Sequence, residues 1–86
     1  MKYRISKHAS NEMMRRGISF EIVEEILENP GQVVMEYNEK KAYQVILEFE
    51  SGKRYLVRVI VDDSVDPLVV VTVYRTSKIS KYWREP

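Results

Sequence analysis

The chain reads as an α+β domain, with two N-terminal helices packed on a four-stranded antiparallel sheet and a short C-terminal helix. Three observations predict this. Apolar residues recur at helical spacing through the first third, the period changes to two after Pro30, and Gly, Pro and Asn residues separate the segments. The resulting order, α-α-β-β-β-β-α, runs helices first and strands second, the pattern of helices laid on one sheet. The 86 residues make one domain, 1–86, and a chain of that length buries only about 60% of the surface its unfolded form exposes.

Ser6 is the expected N-cap of the first helix, which runs through Arg16 to a left-handed Gly17. Ala9 and Met13 share its core face, while His8, Glu12 and Arg15 fall at i, i+4, i+7 on the neighbouring stripe. A second helix follows Ser19, with Glu21 near its positive end and Ile22, Val23, Ile26 and Leu27 turned inward. Glu24, Glu25 and Glu28 face water, and Asn29-Pro30-Gly31 ends the helix. The expected strands are Gln32–Tyr37, Ala42–Glu50, Arg54–Val61 and Leu68–Arg75. A turn at 38–41 joins the first two, Ser51-Gly52 makes the next a hairpin, and 62–67 is a polar loop. The last strand is apolar on both faces near its start, as a well-covered strand would be. A terminal helix over about Ser77–Arg84 places Ile79 and Trp83 together as an anchor.

Composition narrows the function classes. There is no cysteine and a single histidine, so the usual zinc tetrahedron cannot be built. The run Asp62-x-Ser64-x-Asp66 imitates a calcium loop, but Pro67 stands where such a loop needs glycine. No phosphate-binding glycine loop is present, and neither a metal nor a cofactor is expected. The N-terminus lacks a signal peptide's apolar run, and Leu68–Val71 is too short to span a bilayer. These features and the missing thiols point to a cytoplasmic protein.

Net charge is +1, unevenly spread: +4 over residues 1–16, −6 over 17–51, +1 over 52–75 and +2 over 76–86. If the two basic ends meet, they form a patch suited to phosphate. The plainer reading of any one of these cations is a solvated surface group.

His8 is the most chemically suggestive residue. Glu12 one turn away favours its protonated form, and Arg15 or Arg16 favours a bound anion. Such groups can cleave RNA without metal: a base takes the 2′-hydroxyl proton, an acid protonates the leaving oxygen, and a guanidinium holds the charge. An ordinary half-exposed helix histidine is the alternative. Arg54 and Arg58 share one face of the third strand, where Thr72 and Tyr74 of a neighbouring strand would present hydroxyls. Lys78, Lys81 and Tyr82 would flank that surface, the aromatic stacking on bases and the cations neutralising phosphates.

The run His8-Ala9-x-x-Glu12-Met13-x-x-Arg16-Gly17-Ile18-Ser19, with Pro30, Thr72-Val73-Tyr74 and the closing Lys81-Tyr82-Trp83, resembles a family of small bacterial proteins of uncharacterised function. That family is grouped with RelE-like and BrnT-like toxins in the barnase/EndoU/colicin/RelE nuclease superfamily. The resemblance implies a RelE-like ribonuclease fold and the toxin half of a toxin–antitoxin pair acting on messenger RNA. His8 and Arg16 match the motif directly, whereas Glu12 stands where a common form of it has arginine. That substitution leaves Glu12 as a candidate general base.

The expectation is a metal-independent endoribonuclease. His8 transfers the proton, Arg58 and Arg75 clamp phosphate, Tyr74 donates a hydroxyl, and Arg15, Arg16, Arg54, Lys78, Lys81 and Tyr82 bind RNA. Its partners would be RNA and a small antitoxin, with a homodimer as a further form and no membrane. Two alternatives stand beside it: a non-catalytic RNA- or protein-binding module, and an interaction protein whose edge strand accepts a partner's strand.

Overall fold

Both helices of the opening hairpin start at serine caps, as their sequence requires. In the computed structural model, which describes residues 2–85, Ser6 Oγ accepts from Ala9 N at 3.0 Å and Ser19 Oγ from Ile22 N at 3.2 Å. They open α1 (Lys7–Arg16) and α2 (Phe20–Glu28). Gly17 ends α1 at φ 66°, where a side chain would be strained. Ile18 N then reaches back to Met13 O at 2.9 Å, which buries Ile18 beneath the joint.

The sheet has five strands rather than four: β1 (Tyr3–Ile5), β2 (Gln32–Met35), β3 (Lys41–Glu48), β4 (Arg54–Asp62) and β5 (Leu68–Thr76). Their order is β1-β5-β4-β3-β2. β1 runs parallel to β5, pairing Tyr3 with Leu68 and Ile5 with Val70, while all other pairs are antiparallel. The four-stranded, wholly antiparallel expectation is therefore corrected to a five-stranded mixed sheet with three helices. Three residues give too little alternation to show a strand, and the partner of β1 lies at the far end of the chain. The one trace is that β5 is apolar on both faces, which an edge strand would not be.

Boundaries also shift by one or two residues, β3 covering Lys41–Glu48, β4 reaching Asp62 and β5 reaching Thr76. β2 stops at Met35 because Tyr37–Glu39 forms a 3-10 turn with Asn38 and Glu39 at φ 56° and 61°. The terminal helix α3 covers only Ile79–Tyr82.

Core residues fill one face of the sheet. Val57, Val59 and Val61 of β4 meet Ala9 and Met13 of α1 and Val23, Ile26 and Leu27 of α2, all buried. Burying one such side chain contributes about 1.5–3 kcal/mol. Val70 and Val73 both join this core although an odd spacing should send them to opposite faces. A register shift opposite Ile60 and Val61 absorbs the extra residue, Val71, and restores the core face on both sides of it. Since both long helices cover this face, alternation sends Gln44, Leu56, Arg58 and Tyr74 to the other one.

Candidate functional site

A charged residue in the middle of a valine-rich central strand must find partners or be excluded. Arg58 is 3% exposed and finds three. Its Nε donates to Gln44 Oε1 at 2.8 Å, its Nη1 to Tyr74 Oη at 2.7 Å, and its Nη2 to the Glu36 carboxylate. Register explains the set, because Arg58 stands opposite Gln44 on β3 and opposite Tyr74 on β5. Tyr82 of α3 lies over the guanidinium, 4.3 Å from ring centroid to Cζ, and meets Tyr74 edge to face at 6.4 Å.

The tail that carries Tyr82 is fixed in turn. Gln44 Nε2 donates to Gln32 Oε1 at 2.9 Å and to Tyr82 O at 3.2 Å. Gln32 Oε1 accepts from Arg84 N at 3.0 Å, and its Nε2 donates to Arg84 O. Trp83 seats on Gly31, where even a Cβ would stand 3.0 Å from the indole Cη2. Gly31 is therefore needed for close approach.

Above this network opens a cleft of about 410 Å³ lined by Glu36, Tyr37, Lys40, Arg58, Tyr74 and Tyr82, with Asn38, Ile60, Val71 and Thr72 completing it. Tyr37, 88% exposed, stands at the lip beside Asn38 and Lys40. Burial pushes the Tyr74 phenol up, partly offset by Arg58. Lys81, first among several influences, holds the Tyr82 phenol below its ordinary value. The floor thus offers one delocalised cation, one carboxylate and two phenols with pKa values moved in opposite directions. That pairing suits proton exchange on a bound anion.

The sequence-predicted residues fall into three groups. Arg58, Tyr74 and Tyr82 converge in the cleft; Lys81 lies beside Tyr82, and Arg54 is exposed on the same sheet face opposite Glu48. Lys78 is exposed at the start of α3. Arg75 does not clamp with Arg58: it pairs in register with Val57, on the helix-covered face, and stacks on Phe49 at 4.3 Å and Tyr55 at 4.7 Å. His8, Glu12, Arg15 and Arg16 belong to α1, on the helix-covered side. His8 is exposed there and is not among the cleft residues. Glu12 is buried and bonded to Arg16 Nε at 2.8 Å and to Arg15, which hold its carboxyl below the usual range. A shared pocket of His8 with Arg54 and Arg58 does not form, because the sheet lies between them.

Sequence reasoning missed Glu36, Gln44 and Gln32. Their signal was the inward-facing charge of Arg58, which demands acceptors on the flanking strands. Gln44 sits opposite it only in the observed register, where Phe49 pairs with Lys53 around a three-residue loop one residue longer than Ser51-Gly52 alone.

A family model described as a domain of unknown function (DUF4258) matches residues 5–75, so the chain belongs to that family. The matched span takes in Glu36, Arg58 and Tyr74 but ends before the tail that supplies Tyr82 and Trp83. No curated protein and no solved structure matches the chain.

Proposed function

We propose that this DUF4258 protein is a metal-independent endoribonuclease working from the sheet face opposite α1 and α2, with the cleft above Arg58 as its site. The observation that carries this reading is the buried Arg58 fixed between Glu36 and two phenols at the base of an open, aromatic-lipped cleft. Three of the five guanidinium N–H groups are engaged, which leaves two for a phosphate oxygen.

Glu36 takes the proton of a ribose 2′-hydroxyl. The 2′-oxygen attacks phosphorus, the bond to the 5′-oxygen breaks, and a Tyr74 or Tyr82 phenol protonates the departing oxygen. Arg58 holds the charge that develops on the phosphorane. Products are a 2′,3′-cyclic phosphate and a 5′-hydroxyl. Tyr37 stacks on a neighbouring base, and Lys40 and Lys81 meet flanking phosphates. His8 takes no part in this scheme. The resemblance to RelE-like and BrnT-like toxins supplies the remainder: a messenger-RNA substrate, an antitoxin partner and a cytoplasmic site of action. Among the described residues no helix is long and apolar enough to cross a membrane.

A second reading is favoured by one observation. The Glu36 carboxylate already matches the Arg58 charge, so the cleft can bind RNA through its rim without cleaving it. Induced expression in bacteria separates the two. Cleavage predicts growth arrest relieved by Glu36→Gln, with RNA fragments ending in cyclic phosphate. Salt-sensitive RNA binding with no arrest and no new RNA ends would mean binding alone.

A further inference from the structure

On the helix-covered face, away from the Arg58 cleft, the sheet is incompletely roofed. Ile22 and Ile26 of α2 and Val45 and Leu47 of β3 wall an apolar groove of about 250 Å³, with Glu21, Glu25 and Asn29 on its rim. The groove exists because β2 is short. β2 pairs only with residues 41–44 of β3, so the stretch carrying Val45 and Leu47 is itself a sheet edge. Beside it, Val33 and Met35 of β2 point to the same face, cross-strand from Tyr43 and Lys41, and are 47% and 61% exposed. Scattered apolar residues are normal on a surface, but a lined groove continuous with a bare strand marks an interaction site.

Charge indicates the occupant. Glu21, Glu24, Glu25 and Glu28 all lie on α2, and among the described residues none of them has an ion-pair partner. Glu21 and Glu25 stand at i, i+4 on the rim, so their carboxylates lie about 5–6 Å apart along the groove. Another helix lying alongside would present cations at the same interval. An acidic rim rejects acidic or phosphorylated segments and steers basic ones.

We propose that this groove docks a basic amphipathic helix of a partner protein, with apolar residues at i, i+3 or i+4 and i+7 filling it and Lys or Arg meeting Glu21 and Glu25. α2 has nine residues, about 13 Å, so about two and a half turns of partner helix match it. The proposal is independent of the ribonuclease reading, since it uses the opposite face of the sheet.

The test uses the full chain and two synthetic peptides of about 14 residues, each with leucines on one helical face, flanked by lysines in one and glutamates in the other. The lysine peptide is expected to bind at least about tenfold more tightly and to shift backbone amide resonances of α2 and β3. The exposed double substitution Glu21→Lys/Glu25→Lys should reverse that preference while the circular dichroism spectrum shows the fold retained. Equal affinities, no binding of the lysine peptide, or binding indifferent to the double substitution would overturn the proposal. Concentration-dependent shifts of α2 and β3 in the chain alone would also overturn it, by assigning the groove to a second copy.

Discussion

Replacing Arg58 with methionine keeps the length of the side chain and removes its charge and its donors. Three acceptors lose their partner at once: Gln44 Oε1, which is buried, Tyr74 Oη, and the Glu36 carboxylate, whose side chain is 27% exposed. Breaking one side of a fully buried ion pair costs about 3–5 kcal/mol. Glu36 can partly rehydrate, so its share falls toward about 1–2 kcal/mol. The unpaired Gln44 oxygen adds about 1–2 kcal/mol, for a total near 3 kcal/mol. A chain of this length is stable by about 4–13 kcal/mol in total, so the loss is large. At about 4–8 °C per kcal/mol for a domain of this size, the melting temperature should fall by roughly 12–24 °C. Urea unfolding followed by circular dichroism reads the midpoint and slope together, and the slope should stay unchanged. Pairing Arg58→Met with Glu36→Gln in a double-mutant cycle should return a coupling of about 1–2 kcal/mol. A single variant melting within about 2 °C of wild type would refute the assignment of Arg58 as the polar centre of the fold.

Further outcomes follow from other elements. Glu12 is held below its ordinary value of 4.5 by Arg16 and Arg15, so its contribution is full above that value and fades as pH falls through the lowered one. Urea midpoints of wild type and Glu12→Gln should therefore differ at neutral pH and converge as pH falls below the lowered value; a constant gap would refute this. Glu39 occupies a left-handed conformation at φ 61° in the turn joining β2 and β3, where glycine is preferred. Glu39→Gly should stabilise by about 0.5–1 kcal/mol, and thermal melting would show a lower value if the strain is absent. A Cβ at Gly31 would meet Trp83 Cη2 at 3.0 Å and the immovable Gln44 backbone oxygen at 3.1 Å. Gly31→Ala should thus unseat the tail and red-shift the fluorescence of the single tryptophan; an unchanged spectrum would mean the indole sits elsewhere.

Much of the fold was legible because local chemistry dictates it. Ser6, Gly17 and Ser19 bracket the helices where capping rules place them, and alternation in β3 and β4 gives the core face directly. β1 was not legible, since its pairing is set by a partner more than 60 residues away, and the displaced register at Val71 is equally non-local. That register governs the site. Counting alternation back from the end of β5 puts Tyr74 beside Arg58 and puts Arg75 on the opposite face. His8 drew notice as the single histidine, beside a carboxylate and two arginines, yet residue type says nothing about which side of a sheet a helix will occupy. Arg58 was identifiable for a sounder reason: a guanidinium inside a run of valines must be satisfied, and whatever satisfies it surrounds it.

Cleavage of a single-stranded RNA oligonucleotide in EDTA, compared among wild type, His8→Ala and Glu36→Gln, tests the placement of function on the sheet face opposite α1 and α2. Wild type and His8→Ala should yield 2′,3′-cyclic phosphate ends at similar rates, and Glu36→Gln should lose at least about a hundredfold. Loss of cleavage in His8→Ala with full activity in Glu36→Gln would contradict the account.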